Sequence, residues 1–161
     1  MKVKIGPYPT HRWYHNWLYE KFEYSPKQKV DVHIDGWDTW SMDYTLAEIV
    51  LPMLKQLKAK KHGSAIVEDE DVPHLPKQGE ASMEGRQLDM FACEEHDHEV
   101  WEQYVTRWDW VMDEMIYAFD SKVNKDDVWM RFDDPEEVRK EQDRISNGFR
   151  LFGKYYEGLW D

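Results

Sequence analysis

Five acidic residues recur at intervals that place them along one edge of a predicted helix. At about 100° per residue, they fall within about 40° of one another, and they are Glu95, Glu102, Asp109, Asp113 and Asp120. Carboxylates beside an apolar stripe could hold Mg²⁺ or Mn²⁺, as a metal-dependent hydrolase requires. They could equally pair with arginines of the last helix, which are Arg139, Arg144 and Arg150. Because a charged helix face is ordinarily solvated, we interpret these acids as a surface edge.

Asp43 is a further carboxylate whose position needs an explanation. On a helix that we predict to begin near Asp38 or Ser41, it projects into the apolar sector, where an unpaired charge is costly. The first turn of a helix offers such a carboxylate free N–H groups and the positive end of the dipole, and we favour that role. The alternative is a metal-dependent hydrolase that acts on nucleotides or nucleic acid through Asp43, Asp109 and Asp113.

Two groups of histidines could bind zinc, but neither has the ligand spacing of a structural zinc site. His11 and His15 lie one helical turn apart, and Cys93, His96 and His98 lie among acidic residues. We interpret both groups as surface clusters, and we predict no metal site, no cofactor and no catalytic residue. The single cysteine excludes an intramolecular disulfide.

Tryptophans supply the best candidates for a binding surface. Trp37 and Trp40 flank a predicted helix start, and Trp110 points away from the apolar stripe of its own helix. Core packing is one explanation for them, and an interface, where exposed Trp is enriched, is the other. The predicted partner-binding set combines these aromatics with nearby acids: Trp37, Asp38, Trp40, Asp43, Asp109, Trp110 and Asp113.

The composition restricts the class of partner. The chain has 161 residues, with 33 acidic against 21 basic side chains and a net charge of −12. That charge repels duplex nucleic acid and anionic membranes, and it favours a basic protein partner. No apolar stretch approaches the ~18 residues that a membrane span needs, so we expect a cytoplasmic protein. The sequence leaves the oligomeric state open.

The hydrophobic periodicity predicts the order strand, helix, strand, helix, loop, helix, helix. Strands are predicted at 2–5 and 29–34, and the long helices at about 38–62, 94–120 and 135–160. Residues 64–92 lose periodicity and include a run of four acids, which indicates an exposed, mobile loop. We therefore predict one domain over 1–161, of the helix-dominated α+β class, with three or four helices packed on each other and on a minimal two-stranded sheet.

Three segments carry a resemblance to a known group of proteins. They are residues 2–9 (KVKIGPYP), residues 30–63 with DTWSMD and LPMLKQLK inside, and residues 144–161 (RISNGFRLFGKYYEGLWD). With the Trp-rich helix at 101–119, they make the chain resemble proteins encoded by tailed bacteriophages, including phages of marine bacteria and cyanobacteria. Those proteins carry a longer insert before the second strand and have no established activity. The resemblance implies an accessory protein of the infected host cell, and we rank binding of a host or phage component above catalysis.

Overall fold

The computed structural model describes residues 1–7, 10, 12–76, 93–125 and 127–160, with the side chains of the longest helix described from 101 onwards. Within these residues there are two strands, five α-helices and three short 3₁₀ helices. The strands and α-helices are β1 (Lys2–Ile5), α1 (Trp13–Phe22), β2 (Val30–His33), α2 (Met42–Lys60), α3 (Cys93–Asn124), α4 (Val128–Arg131) and α5 (Pro135–Lys154). The 3₁₀ helices are Gly36–Thr39, Asp69–Asp71 and Tyr156–Gly158.

The predicted fold class is confirmed, because helices dominate and the sheet has two antiparallel strands. Alternation along each strand divides the sheet into a polar and an apolar face. Lys4 lies opposite Asp31 on the polar face, and Val3 lies opposite Val32 on the apolar face. The four-residue helix α4 was not predicted, since so short a segment has too few residues to show a period.

The chain divides into two compact units, residues 1–45 and residues 46–161. The buried core lies in the second unit, where one face of α3 supplies its largest side chains. Trp108, Met112 and Met115 are almost fully buried there, together with Leu51 and Leu54 of α2. The prediction that the whole chain is a single domain stays a prediction.

Helix α5 lies against α3 at a glycine. Asn147 and Gly148 form a pair that favours turns, but α5 continues through both residues. Gly148 is buried, and a Cβ atom at this position would lie 2.4 Å from the backbone oxygen of Glu114. The absence of a side chain at Gly148 therefore allows the two helix backbones to approach closely.

The first part of the predicted mobile loop is fixed to the core, which corrects our prediction for residues 64–76. Val67 and Val72 are buried with the apolar side chains of α3, and Asp71 is only 5% exposed. A 3₁₀ helix at Asp69–Asp71 lies between the two valines, and a helix of three residues is too short to show a hydrophobic period in the sequence. The rest of the predicted loop, residues 77–92, lies outside the described residues.

Candidate functional site

The turn that carries Trp37 and Trp40 is held by hydrogen bonds of its own residues. Asp35 caps the 3₁₀ helix, since its Oδ1 accepts from the N–H of Trp37 at 3.1 Å. Asp38 Oδ2 accepts in return from the N–H of Asp35 at 2.7 Å. Hydrogen bonds from the N-terminal amine of Met1, and then from Asp35, lower the pKa of Asp38. This reciprocal pair orders the backbone of the turn before any ligand is present.

Trp37 and Trp40 project from this turn as an adjacent pair. A 3₁₀ helix has about three residues per turn, so side chains three apart lie on the same side. The two ring centroids are 6.1 Å apart and the ring planes are tilted by 47°. The side chains are 79% and 82% exposed, although each carries a large apolar ring. Two solvated indoles on an ordered backbone are typical of the anchor residues of an interface.

The same unit exposes further aromatic surface around helix α1. This helix has no buried residue, and Trp13 is 87% exposed. Trp17 lies under the ammonium group of Lys21, whose Nζ is 5.0 Å from the ring centroid. Within the described residues, no such cation lies over Trp37 or Trp40. Their ring faces therefore remain accessible to groups outside the chain.

The other acids of the predicted binding set differ in their surroundings. Asp43 lies in the first turn of α2, as predicted, and its side chain is exposed. Asp109 is paired with Lys61, the residue after α2, at 3.1 Å, and Asp113 is paired with Lys58 of α2 at 2.5 Å. A third acid of the predicted edge, Asp120, lies 3.0 Å from Lys55 of the same helix.

The partners of Asp109, Asp113 and Asp120 differ from the arginines that we considered. Arg144 binds Glu114 through two hydrogen bonds, Arg150 binds Asp71, and Arg139 lies 4.0 Å from Asp143. Lys58 of α2 and Lys61, the residue after it, pair with these acids of α3 instead, so Asp113 and Asp109 are neutralised by lysines. In a metal-dependent hydrolase, these carboxylates would bind a metal ion and not lysine side chains. Among the described side chains, no three His, Cys, Asp or Glu residues lie together as a ligand group.

Asp113→Asn tests whether the acidic edge is more than a set of surface ion pairs. Asp113 is 59% exposed, so water already solvates both members of its pair with Lys58. We expect the free energy of unfolding to change by less than about 1 kcal/mol. Urea unfolding followed by circular dichroism measures it, and a loss of several kcal/mol would contradict this interpretation.

Trp110 differs from Trp37 and Trp40, and core packing, the first explanation considered for the tryptophans, describes its surroundings. It is half-buried and packs against the core, with its ring 4.6 Å from that of His74. The reason is the segment at 64–76, which covers a side of α3 that the helical period alone leaves open. The structure does not describe most of the predicted zinc candidates, because His11 and the side chains of Cys93, His96 and His98 lie outside the described residues.

The sequence did not reveal a buried polar network centred on Asp71. Its carboxylate accepts from Arg150 at 2.6 Å, Lys154 at 2.7 Å and the Tyr155 hydroxyl at 2.6 Å. Burial by itself would raise the pKa of Asp71, but hydrogen bonds from Lys154, Tyr155 and Arg150 outweigh it and lower the pKa to about 2. These hydrogen bonds attach the segment that carries Asp71 to the C-terminal part of α5.

Arg107 attaches the segment at 64–76 to α3, and the position of this arginine in the sequence could have predicted a buried partner. It lies three residues after Tyr104 and four before Val111, within the apolar stripe of α3. The side chain is 2% exposed and donates to the backbone oxygens of Pro76 and Val67, at 2.7 and 3.0 Å. A charged residue in an apolar stripe predicts a buried partner, because an isolated charge there would be too costly.

Comparison with known proteins assigns the chain to no family. No protein-family model, no curated protein and no solved structure matches the chain. In the described part of the chain, no helix is both long and apolar enough to cross a lipid bilayer.

Proposed function

We propose that this chain is a binding protein that recognises a protein partner through Trp37 and Trp40. The observation that carries the proposal is the pair itself: two adjacent indoles, each about four-fifths exposed, on a turn ordered by its own hydrogen bonds. Exposing such rings to water is unfavourable, and covering them returns that free energy on binding. Because the turn is already ordered, little conformational entropy is lost when a partner covers it.

The charge distribution favours a basic partner. Residues 1–45 contain six basic and six acidic side chains, so the whole net charge of −12 resides in residues 46–161. The field of that acidic part attracts basic proteins over a distance, while the neutral unit that carries the tryptophans repels neither sign at contact. The resemblance to proteins of tailed phages supports an accessory role in the infected host cell, with a host or phage protein as the partner.

The double variant Trp37→Ala/Trp40→Ala tests the proposal. Immobilised wild-type protein is expected to capture a basic protein from host lysate, and the double variant is expected to lose it. With the captured protein purified, calorimetry should give a dissociation constant raised at least roughly thirtyfold, because truncating anchor tryptophans costs about 2 kcal/mol or more. Trp129→Ala is the matched control, since Trp129 is also exposed but α4 contains no second tryptophan. Equal binding by wild type and the double variant, or equal loss in the control, would contradict the proposal.

A further inference from the structure

The outer edge of strand β2 presents backbone groups that the two-stranded sheet does not use. The N–H of Gly6 donates to the oxygen of Lys29 at 2.8 Å, which makes these two residues a hydrogen-bonded pair. Such pairs alternate along an antiparallel ladder, so Asp31 and His33 face β1 with their backbone groups. The N–H and C=O groups of Val30 and Val32 therefore point away from β1.

The apolar face of the same sheet is largely exposed among the residues that the structure describes. It is formed by aliphatic side chains that are 37–60% exposed, namely Val3, Ile5, Val30, Val32 and Ile34. An isolated two-stranded sheet is marginally stable in water, and three or more strands with an apolar face are needed for independent stability. Within the described part of the chain, no third strand lies on the side where β2 offers hydrogen-bonding groups.

We propose that β2 pairs with β2 of a second copy of this chain, which makes a continuous four-stranded antiparallel sheet. In the symmetric register centred on Val32, the outward groups of Val32 bond to those of Val32 in the other copy. Asp31 then lies opposite His33 of that copy, and Val30 lies opposite Ile34. The first contact joins a carboxylate to a ring N–H donor, and the second joins two aliphatic side chains on the apolar face.

Charge disfavours pairing through β1 and one other register of β2. Pairing through β1, centred on Val3, would place Lys2 opposite Lys4 of the other copy, and like charges directly opposite are destabilising. A β2 register centred on Asp31 would set the two Asp31 carboxylates against each other. Residues 1–45 themselves carry six basic and six acidic side chains, so two copies of this unit have no net charge repulsion. An identical strand is therefore a complementary partner for β2, as a two-fold axis requires.

Val32→Pro tests the pairing, with Val3→Pro as its matched control. Proline removes an N–H that points outward in either strand, so the hydrogen bonds between β1 and β2 are retained in both variants. Sedimentation equilibrium of the full chain is expected to give twice the mass of one chain for wild type and Val3→Pro. Val32→Pro is expected to associate at least roughly thirtyfold more weakly, because symmetry removes two hydrogen bonds at once. Circular dichroism should be the same for the two proline variants.

His33→Asp provides a second measurement that leaves the backbone unchanged. The new carboxylate lies opposite Lys2 within the chain, which is favourable, and opposite Asp31 of the other copy, which is not. We expect self-association roughly tenfold weaker, since two such contacts change at once. A wild-type chain that stays monomeric overturns the proposal. So does a dimer that tolerates Val32→Pro, or one that is lost equally in both proline variants.

Discussion

Gly148→Ala is expected to lower the free energy of unfolding by about 3 kcal/mol or more. The added Cβ would lie 2.4 Å from the backbone oxygen of Glu114 and 2.6 Å from the Cβ of Ala118. A backbone oxygen inside a helix cannot move aside alone, so α3 and α5 must separate along their contact. That separation weakens the packing of the buried side chains on both helices, which is why one methyl group has so large an effect.

Gly153→Ala is the matched control for this substitution. Gly153 lies in the same helix, but nothing lies within 4 Å of a Cβ built there. Alanine is therefore expected to stabilise the chain by about 0.5–1 kcal/mol, the ordinary gain over glycine in a helix. Urea unfolding of both variants measures the two effects. Similar small effects at the two positions would mean that α3 and α5 are not in backbone contact at Gly148.

Asp71→Asn is expected to lower the free energy of unfolding by about 2–3 kcal/mol at pH 7. The amide keeps the shape of the side chain but removes the charge that Arg150 and Lys154 bind, and its NH₂ group opposes the donors around it. Those two cations are partly exposed and can be rehydrated, so the loss is smaller than for a fully buried pair. Glu70→Gln is the control, because the adjacent Glu70 is exposed.

The difference in the free energy of unfolding between wild type and Asp71→Asn should also depend on pH. The pKa of Asp71 is lowered from 3.8 to about 2, so its ionised form stabilises the folded chain at every pH above 3.8. This stabilisation is lost as the pH falls from 3.8 to about 2, because the carboxyl group is protonated in the unfolded chain before it is protonated in the folded chain. Urea unfolding at several pH values should show wild type and Asp71→Asn converging between about pH 4 and pH 2. A constant difference would contradict the assignment of the effect to the Asp71 carboxylate.

The candidate site was predicted in part, for reasons that the individual residues make clear. Trp37 and Trp40 were recognised because they are close in sequence and flank a turn, and turn geometry depends on a few neighbouring residues. The choice between core and surface for Trp110 could not be made from the sequence, because its burial depends on His74, which is 36 residues away and comes from a segment without a period. Asp109 and Asp113 were correctly placed on one helix, but their lysine partners, in α2 and at its C-terminal end, depended on how the two helices pack.

The sequence by itself determined the strands, the long helices, their amphipathic faces and the helix-dominated class. These properties follow from side-chain alternation and helical period, which act between residues at most a few positions apart. Only the tertiary structure decided that residues 64–76 join the core, that Gly148 is a helix contact and that Asp71 collects three donors. Asp71 and its donors are about 80 residues apart, since the bonds to Arg150, Lys154 and Tyr155 span 79, 83 and 84 positions. Pairing over such separations is selected by the burial of charge and apolar surface in the assembled fold, and no local pattern in the chain encodes it.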